Sequence, residues 1–169
     1  MIPVWLLDVD GVLNAGRAGW DGPPRTGTAY DKDGQPFRIR WSADLVKRIT
    51  ALHVSGAVEI WWATTWVDHD PDQISRLLGL PTFPVGWEPQ GWAHTLYVRA
   101  AKQNAAHHVL RAERRPLIWT DDDAIPDGLI EPGDPPALLI APDTRRGLRP
   151  EHMDRIEQFA RQMTRSEDR

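Results

Sequence analysis

Cysteine is absent from this 169-residue chain. Disulfide staples, thiolate zinc sites, thiol nucleophiles and cysteine-based phosphate chemistry are thereby excluded together. Lysine is scarce as well, with only Lys32, Lys47 and Lys102 against 17 arginines. No apolar run approaches the roughly 18 residues that a membrane helix needs. The opening stretch has no basic residue and meets Asp8 too early for a secretory signal. A cytoplasmic location and no membrane partner are therefore expected. The formal charge of −4 argues against a surface that wraps nucleic acid on every side. Apolar residues at 41% and charged residues at 26% are ordinary for a globular protein. The length suits a single domain, read as residues 1–163, followed by a polar tail over 164–169.

Four short apolar runs, Val4–Leu7, Val58–Ala63, Leu117–Trp119 and Ala137–Ala141, read as strands buried on both faces, because none alternates with polar residues. Helical spacing lies between and after them. One helix is predicted from the capping Ser42 to Val54, and a second opens at Asp70-Pro71 and stops at Gly79. A third is predicted over Val98–Arg114 and a fourth over Pro150–Met163. The alternation predicts an α/β fold, a three-layer Rossmann-like sandwich around a parallel sheet. Thr26–Trp41 departs from that rhythm and reads as a hairpin turning at Asp31-Lys32-Asp33-Gly34.

Ligand sites in open α/β sheets lie beyond the carboxyl ends of the strands. Asp8 and Asp10 follow the first run, Thr64 and Thr65 the second, and Asp121, Asp122 and Asp123 the third. Clustered carboxylates repel one another unless a cation offsets them. All-oxygen ligation points to Mg2+ rather than zinc. In the pair Asp8-Val9-Asp10 one carboxylate can attack while the other handles a proton, and Gly11 permits a tight turn behind them. Thr64 directly follows its apolar run and offers a hydroxyl to a phosphoryl oxygen; Thr65 is the alternative. Lys102, early in the third helix, can reach the same pocket, whereas Lys32 and Lys47 read as solvated.

Taken in order, Asp8-Val9-Asp10-Gly11-Val12-Leu13-Asn14, Ile60-Trp61-Trp62-Ala63-Thr64, Lys102 and Leu117-Ile118-Trp119-Thr120-Asp121-Asp122 resemble the four motifs of the haloacid dehalogenase (HAD) superfamily of phosphatases. The resemblance implies that Asp8 is the nucleophile of an aspartyl-phosphate intermediate and that Asp10 is the general acid and base. It implies Mg2+ held by Asp8, the Asp10 carbonyl and Asp121, with Asp122 in or near its shell. Thr64 and Lys102 would hold the phosphoryl oxygens and the nucleophile. The run of three aspartates departs from the usual pattern and leaves the metal ligand among them open. The hairpin resembles the flap that this superfamily places over its site.

Fifty-three residues separate Asp10 from Thr64 and thirty-seven separate Thr64 from Lys102, too few in either interval for a large cap domain. An open cleft suits a phosphate on a large substrate, or on a small molecule if a partner closes the site. Nine tryptophans accompany only 3 phenylalanines. Trp20, Trp41, Trp66, Trp87 and Trp92 either stack on bases around the cleft or pack the loops. Arg17, Arg25, Arg38 and Arg40 would add attraction for phosphates. The sequence is also similar to the small phosphatase domains of bacterial multi-domain RNA-repair proteins, which implies a nucleic-acid end as substrate. Two alternatives use the same residues: a non-catalytic phosphate- or nucleic-acid-binding domain with the HAD fold, and a receiver-like phospho-acceptor. Receivers place an acidic pair first and the phosphorylated aspartate, threonine and lysine on later strands, whereas here Asp-x-Asp follows the first strand and the threonine and lysine precede the second acidic cluster.

Overall fold

The computed structural model describes residues 1–68, 70–87 and 95–165. In chain order the elements are β1 (Val4–Leu7), β2 (Arg25–Tyr30), β3 (Pro36–Trp41), α1 (Ala43–Val54), β4 (Glu59–Trp62), α2 (Pro71–Leu78), α3 (Thr95–His107), β5 (Leu117–Thr120), β6 (Ala137–Ile140) and α4 (Pro150–Arg165). A single 3-10 turn, Thr65–Asp68, follows β4, and a π turn, His108–Ala112, prolongs α3. Among the described residues, no helix is long and apolar enough to cross a membrane.

Four strands form one parallel sheet in the order β4-β1-β5-β6. Successive side chains on a strand point to opposite faces, and two cores result. Trp5, Leu7, Ile60, Trp62 and Ile118 pack against α1 and α4 through Leu45, Ile49, Met153 and Ile156. Val4, Leu6, Leu117 and Trp119 pack on the other face against Ala105, Ala106, Val109 and Leu110. Helix, sheet and helix are the three layers that the unalternated apolar runs imply. Arg48 ties the two helices of one layer together, reaching from α1 to Asp154 at 2.7 Å and Glu157 at 2.6 Å on α4.

Elements differ from the sequence pattern mainly at their ends. Val58 and Ala63 are buried but lie outside β4, and the three leading residues of β6, an edge strand, are only half-buried. The third helix starts at Thr95 rather than Val98 and widens into the π turn. Within that turn, consecutive Val109 and Leu110 are both fully buried. The last helix runs to Arg165, so Thr164 and Arg165 of the expected tail are helical, and residues 166–169 lie outside the described part. The β4 edge is not left open, because Trp62 donates to the Pro84 carbonyl at 2.7 Å and accepts from the Gly86 N–H at 2.9 Å.

Strands β2 and β3 form a separate antiparallel hairpin, and there is no cap domain among the described residues. Its turn is closed by Asp31, whose carboxylate accepts from the Asp33 and Gln35 N–H groups at 2.9 and 2.8 Å. Ala29, Ile39 and Trp41 bury one face against the main core. The far end is clasped to α2 by Gln73, whose amide accepts from the Tyr30 N–H at 2.6 Å and donates to the Tyr30 carbonyl at 3.0 Å. In effect one side chain acts as a short third strand.

The loops after β1 and β6 are stitched together, since the Leu148 N–H donates to the Val12 carbonyl at 2.9 Å. Gly147, just before it, has φ 66°, and any Cβ there would run into that same carbonyl oxygen. Gly147→Ala is expected to cost roughly 2 kcal/mol from backbone strain and overlap. Thermal unfolding should record a fall in Tm of about 5 °C.

Candidate active site

Sheet register sets the site. Leu7 pairs with Thr120, and Thr120 pairs with Ile140, so Asp8 and Asp121 leave adjacent strands at one level. Between them arrives Lys102 from α3, its Nζ donating to Asp8 Oδ2 at 2.7 Å and to Asp121 Oδ2 at 2.6 Å. All three side chains are less than a tenth exposed. Asp8 Oδ1 accepts from the Val9 N–H at 2.7 Å, and Asp121 Oδ1 accepts from the N–H groups of Asp123 and Ala124 at 3.0 and 2.7 Å. Burial pushes the Asp8 carboxyl from 3.8 up to about 7; Asp121 adds to the rise and Lys102 opposes it. Burial also works against the Lys102 ammonium, but Asp8 and Asp121 outweigh it and hold its pKa above the ordinary 10.5.

The three consecutive aspartates go three ways. Asp121 is buried; Asp122 is half-buried and accepts from the Thr144 hydroxyl at 2.7 Å; Asp123 is exposed and pairs with Arg99. Asp122 also occupies the space a side chain would fill at Gly11, where φ is 70° and a Cβ would overlap its carboxyl group. Asp8, Asp121 and Asp122 each offer one oxygen within 4.8 Å of the others. Only one buried ammonium offsets this group, and its donors are all hard oxygens. The set therefore fits a divalent cation of the magnesium or calcium kind.

Asp10 is exposed and its carboxylate stands apart from that trio, which leaves untouched the expectation that its backbone carbonyl, rather than its side chain, faces the metal. Its Oδ1 accepts from the Asn14 amide at 2.7 Å and its Oδ2 from the Trp66 indole N–H at 2.9 Å. Both partners lead to the hairpin. Asn14 Oδ1 accepts from the Arg40 N–H of β3 at 2.9 Å, and the Trp66 ring meets Phe37 edge-on with centroids 5.8 Å apart.

A cleft of about 210 Å³ opens above these groups, lined by Asp8, Asp10, Gly11, Thr65, Arg99, Lys102, Asp121, Asp122 and Thr144 among others. Thr64 is 1% exposed, and its hydroxyl oxygen accepts from the Trp66 N–H at 3.4 Å. The adjoining Thr65 is exposed and forms part of the cleft wall. Lys32 is exposed beside Asp33 and Lys47 is exposed on α1, away from the cleft. Among the described residues, the tryptophans expected around the cleft do not line it. Trp41 and Trp66 are buried, Trp20 donates to the Leu148 carbonyl at 2.9 Å with Arg48 over its ring, and Trp87 packs against the core. His69 and Trp92 lie outside the described residues.

Sequence reasoning passes over Asn14, Thr144 and Arg99 as parts of the site, and gives Trp66 no contact with Asp10. Thr144 carries a detectable signal, since it lies just beyond β6 at the same end of the sheet as the acidic clusters. Asn14, four residues after Asp10 in a tight turn, carries a weaker signal of the same local kind.

Comparison with known families gives a match to the HAD domain in Swiss Army Knife RNA repair proteins, over residues 4–153. No curated protein and no solved structure matches the chain.

Because the folded state holds a proton on Asp8 up to about pH 7 while the unfolded chain releases it near 3.8, metal-free stability drains away as pH rises across that window. The slope reaches about 1.4 kcal/mol per pH unit. Asp8→Asn removes the titration. Its Tm advantage over the wild type should widen from about pH 4 to about pH 7 and stay level above that, measured in a chelator. Added magnesium should raise the wild-type Tm at pH 8 and leave that of Asp8→Asn nearly unchanged.

Proposed function

Because the chain belongs to the family of HAD domains in Swiss Army Knife RNA repair proteins, we propose that it is a magnesium-dependent phosphohydrolase acting on the phosphorylated end of a nucleic-acid strand. The observation that carries this reading is the buried Asp8–Lys102–Asp121 group with Asp122 beside it at the carboxyl ends of two neighbouring strands. The absence of a cap domain among the described residues supports a bulky substrate, because no such domain among them encloses a small one.

Asp8 attacks the phosphorus of a phosphomonoester, forming a carboxylate oxygen–phosphorus bond as the bond to the substrate oxygen breaks. Asp10 gives its proton to the departing oxygen, which leaves as a hydroxyl. In the second step Asp10 takes a proton from a water molecule, the water oxygen bonds to phosphorus, and the Asp8–phosphorus bond breaks to release inorganic phosphate. Asp8, Asp121 and Asp122 would hold the Mg2+, whose charge when bound favours ionised Asp8 and offsets the phosphoryl oxygens.

Lys102 keeps the Asp8 carboxylate aimed across the cleft and adds positive charge where the transferring group sits. Thr65, from its place on the cleft wall, donates its hydroxyl to a phosphoryl oxygen, and Thr64 beneath it shapes the turn by accepting from Trp66. Asn14 and Trp66 fix the Asp10 carboxylate so that the proton is delivered along one direction.

Phosphate release from an aryl phosphate and from a 3′- or 5′-phosphorylated oligonucleotide, with and without magnesium, tests the reading. Turnover should require the metal, and Asp8→Asn should lower it more than about 10³-fold. A wild-type chain that binds phosphorylated ends with no turnover of either substrate would leave only the non-catalytic domain. Trp66→Phe keeps an aromatic ring and removes the donor to Asp10; kcat should fall about tenfold with little change in KM, as expected when a group that aims a proton donor is removed.

A further inference from the structure

The cleft lining carries five carboxylates, Asp8, Asp10, Asp121, Asp122 and Asp123, against two cations, Arg99 and Lys102. Arg99 is paired with Asp123, and Lys102 lies between Asp8 and Asp121. A polyanion therefore meets repulsion at the mouth unless positive charge waits on one flank. Such a flank exists where three segments meet. The Arg17 N–H donates to the Arg145 carbonyl at 2.7 Å, and the Arg40 guanidinium donates to the Gly16 carbonyl at 3.3 Å. The loop after β1, the end of β3 and the loop after β6 thus bring Arg17, Arg40 and Arg145 to one place.

That place adjoins the chemistry on two sides. Thr144, next to Arg145, lines the cleft and donates to Asp122, and the Arg40 N–H donates to Asn14, which holds Asp10. Among the described residues, none of the three guanidinium groups has a carboxylate within ion-pair distance, unlike those of Arg48, Arg99, Arg111 and Arg115. The nearby Asp143 is engaged by the N–H groups of Arg145 and Arg146, at 3.1 Å each. Arg38 extends the patch along β3, two residues from Arg40 and so about 6.8 Å away on the same face.

We propose that Arg17, Arg40 and Arg145 form a docking surface for the phosphodiester backbone of single-stranded nucleic acid, which enters the cleft from the side of the hairpin base. This deepens the reading above and rests on it for the identity of the ligand. Arginines suit the task because a planar guanidinium bridges phosphate oxygens in a bidentate way. Trp41 and Trp66, the buried tryptophans nearest the hairpin, offer no open face to a base, and the surface argued here rests on backbone charge. Arg25 does not belong to the surface, since it lines a groove with Lys47 and Leu78 on the opposite side of the hairpin.

The test uses the full chain bearing Asp8→Asn and a short 3′-phosphorylated RNA labelled at its other end, with binding followed by fluorescence anisotropy across a salt series. Arg17→Gln and Arg145→Gln should each weaken binding and reduce the slope of log K against log salt by about 0.7 for every phosphate left without its cation. Arg17→Lys and Arg145→Lys should keep the slope, and Arg25→Gln should keep both slope and affinity. Absence of RNA binding, an unchanged slope in both Gln variants, or an equal effect of Arg25→Gln would overturn the surface. Hydrolysis of an aryl phosphate by the wild-type chain is scored separately. Patch-dependent binding without turnover would uphold the surface and remove the hydrolase; turnover without patch-dependent binding would remove the surface alone.

Discussion

One ammonium between two carboxylates is a poor balance inside a protein, and the site is organised around it. Lys102, Asp8 and Asp121 are withdrawn from water with a net negative charge, which low-dielectric surroundings make costly. Part of the cost is met locally, by the backbone N–H groups from which Asp8 and Asp121 each accept. The remainder appears in the raised pKa of Asp8, which takes up a proton rather than keep its charge. A buried group whose Asp8 is pushed toward its protonated form is one that a further positive charge would relieve. Lys102 makes the arrangement possible, since removing a buried ion's partner costs about 3–5 kcal/mol.

Sheet position is what makes the site legible in the sequence. Apolar runs without alternation fix where parallel strands end, and the residues just past β1, β4 and β5 hold Asp8, Asp10, the two threonines and the acidic run. The spacing of Lys102 along an amphipathic helix places it toward the same end. A run gives only the level at which a strand stops, however, not the turn that follows. Thr64 and Thr65 are adjacent, and the 3-10 turn beginning at Thr65 decides that one is buried and the other lines the cleft. The π turn behind α3 is invisible for a similar reason, because its apolar residues, Val109 and Leu110, satisfy ordinary helical spacing.

Tryptophan illustrates the opposite limit. Its ring is amphipathic, so position outside a strand says little about burial. Trp66 lies in a turn yet is buried, and its indole N–H reaches Asp10. Trp20 spends its N–H on the Leu148 carbonyl. Each of these two indoles thereby fastens one loop to another while its ring fills space. The hairpin gains from this. It rests on Trp66 through Phe37, on Asn14 through Arg40 and on α2 through Gln73. It is docked on the body of the domain, and Asn14 and Trp66, which hold Asp10, are also two of the residues it rests on.

The acidic run shows why residue type alone does not assign a role here. Asp121, Asp122 and Asp123 have identical side chains, but the turn after β5 folds back so that the N–H groups of Asp123 and Ala124 both meet Asp121. That fold fixes Asp121 inward and sends Asp123 out to Arg99. Asp122 is left facing β1, where the bare Cα of Gly11 gives it room. Glycine at 11 and aspartate at 122 are therefore complementary halves of one junction between two loops, and the carboxylate beside the cleft is held there by shape as much as by charge. A substitution at either position perturbs the loop junction and the acidic cluster together. Stability measured with and without divalent cation separates the two effects, since a pure packing defect lowers both values equally, whereas loss of the carboxylate erases the difference between them.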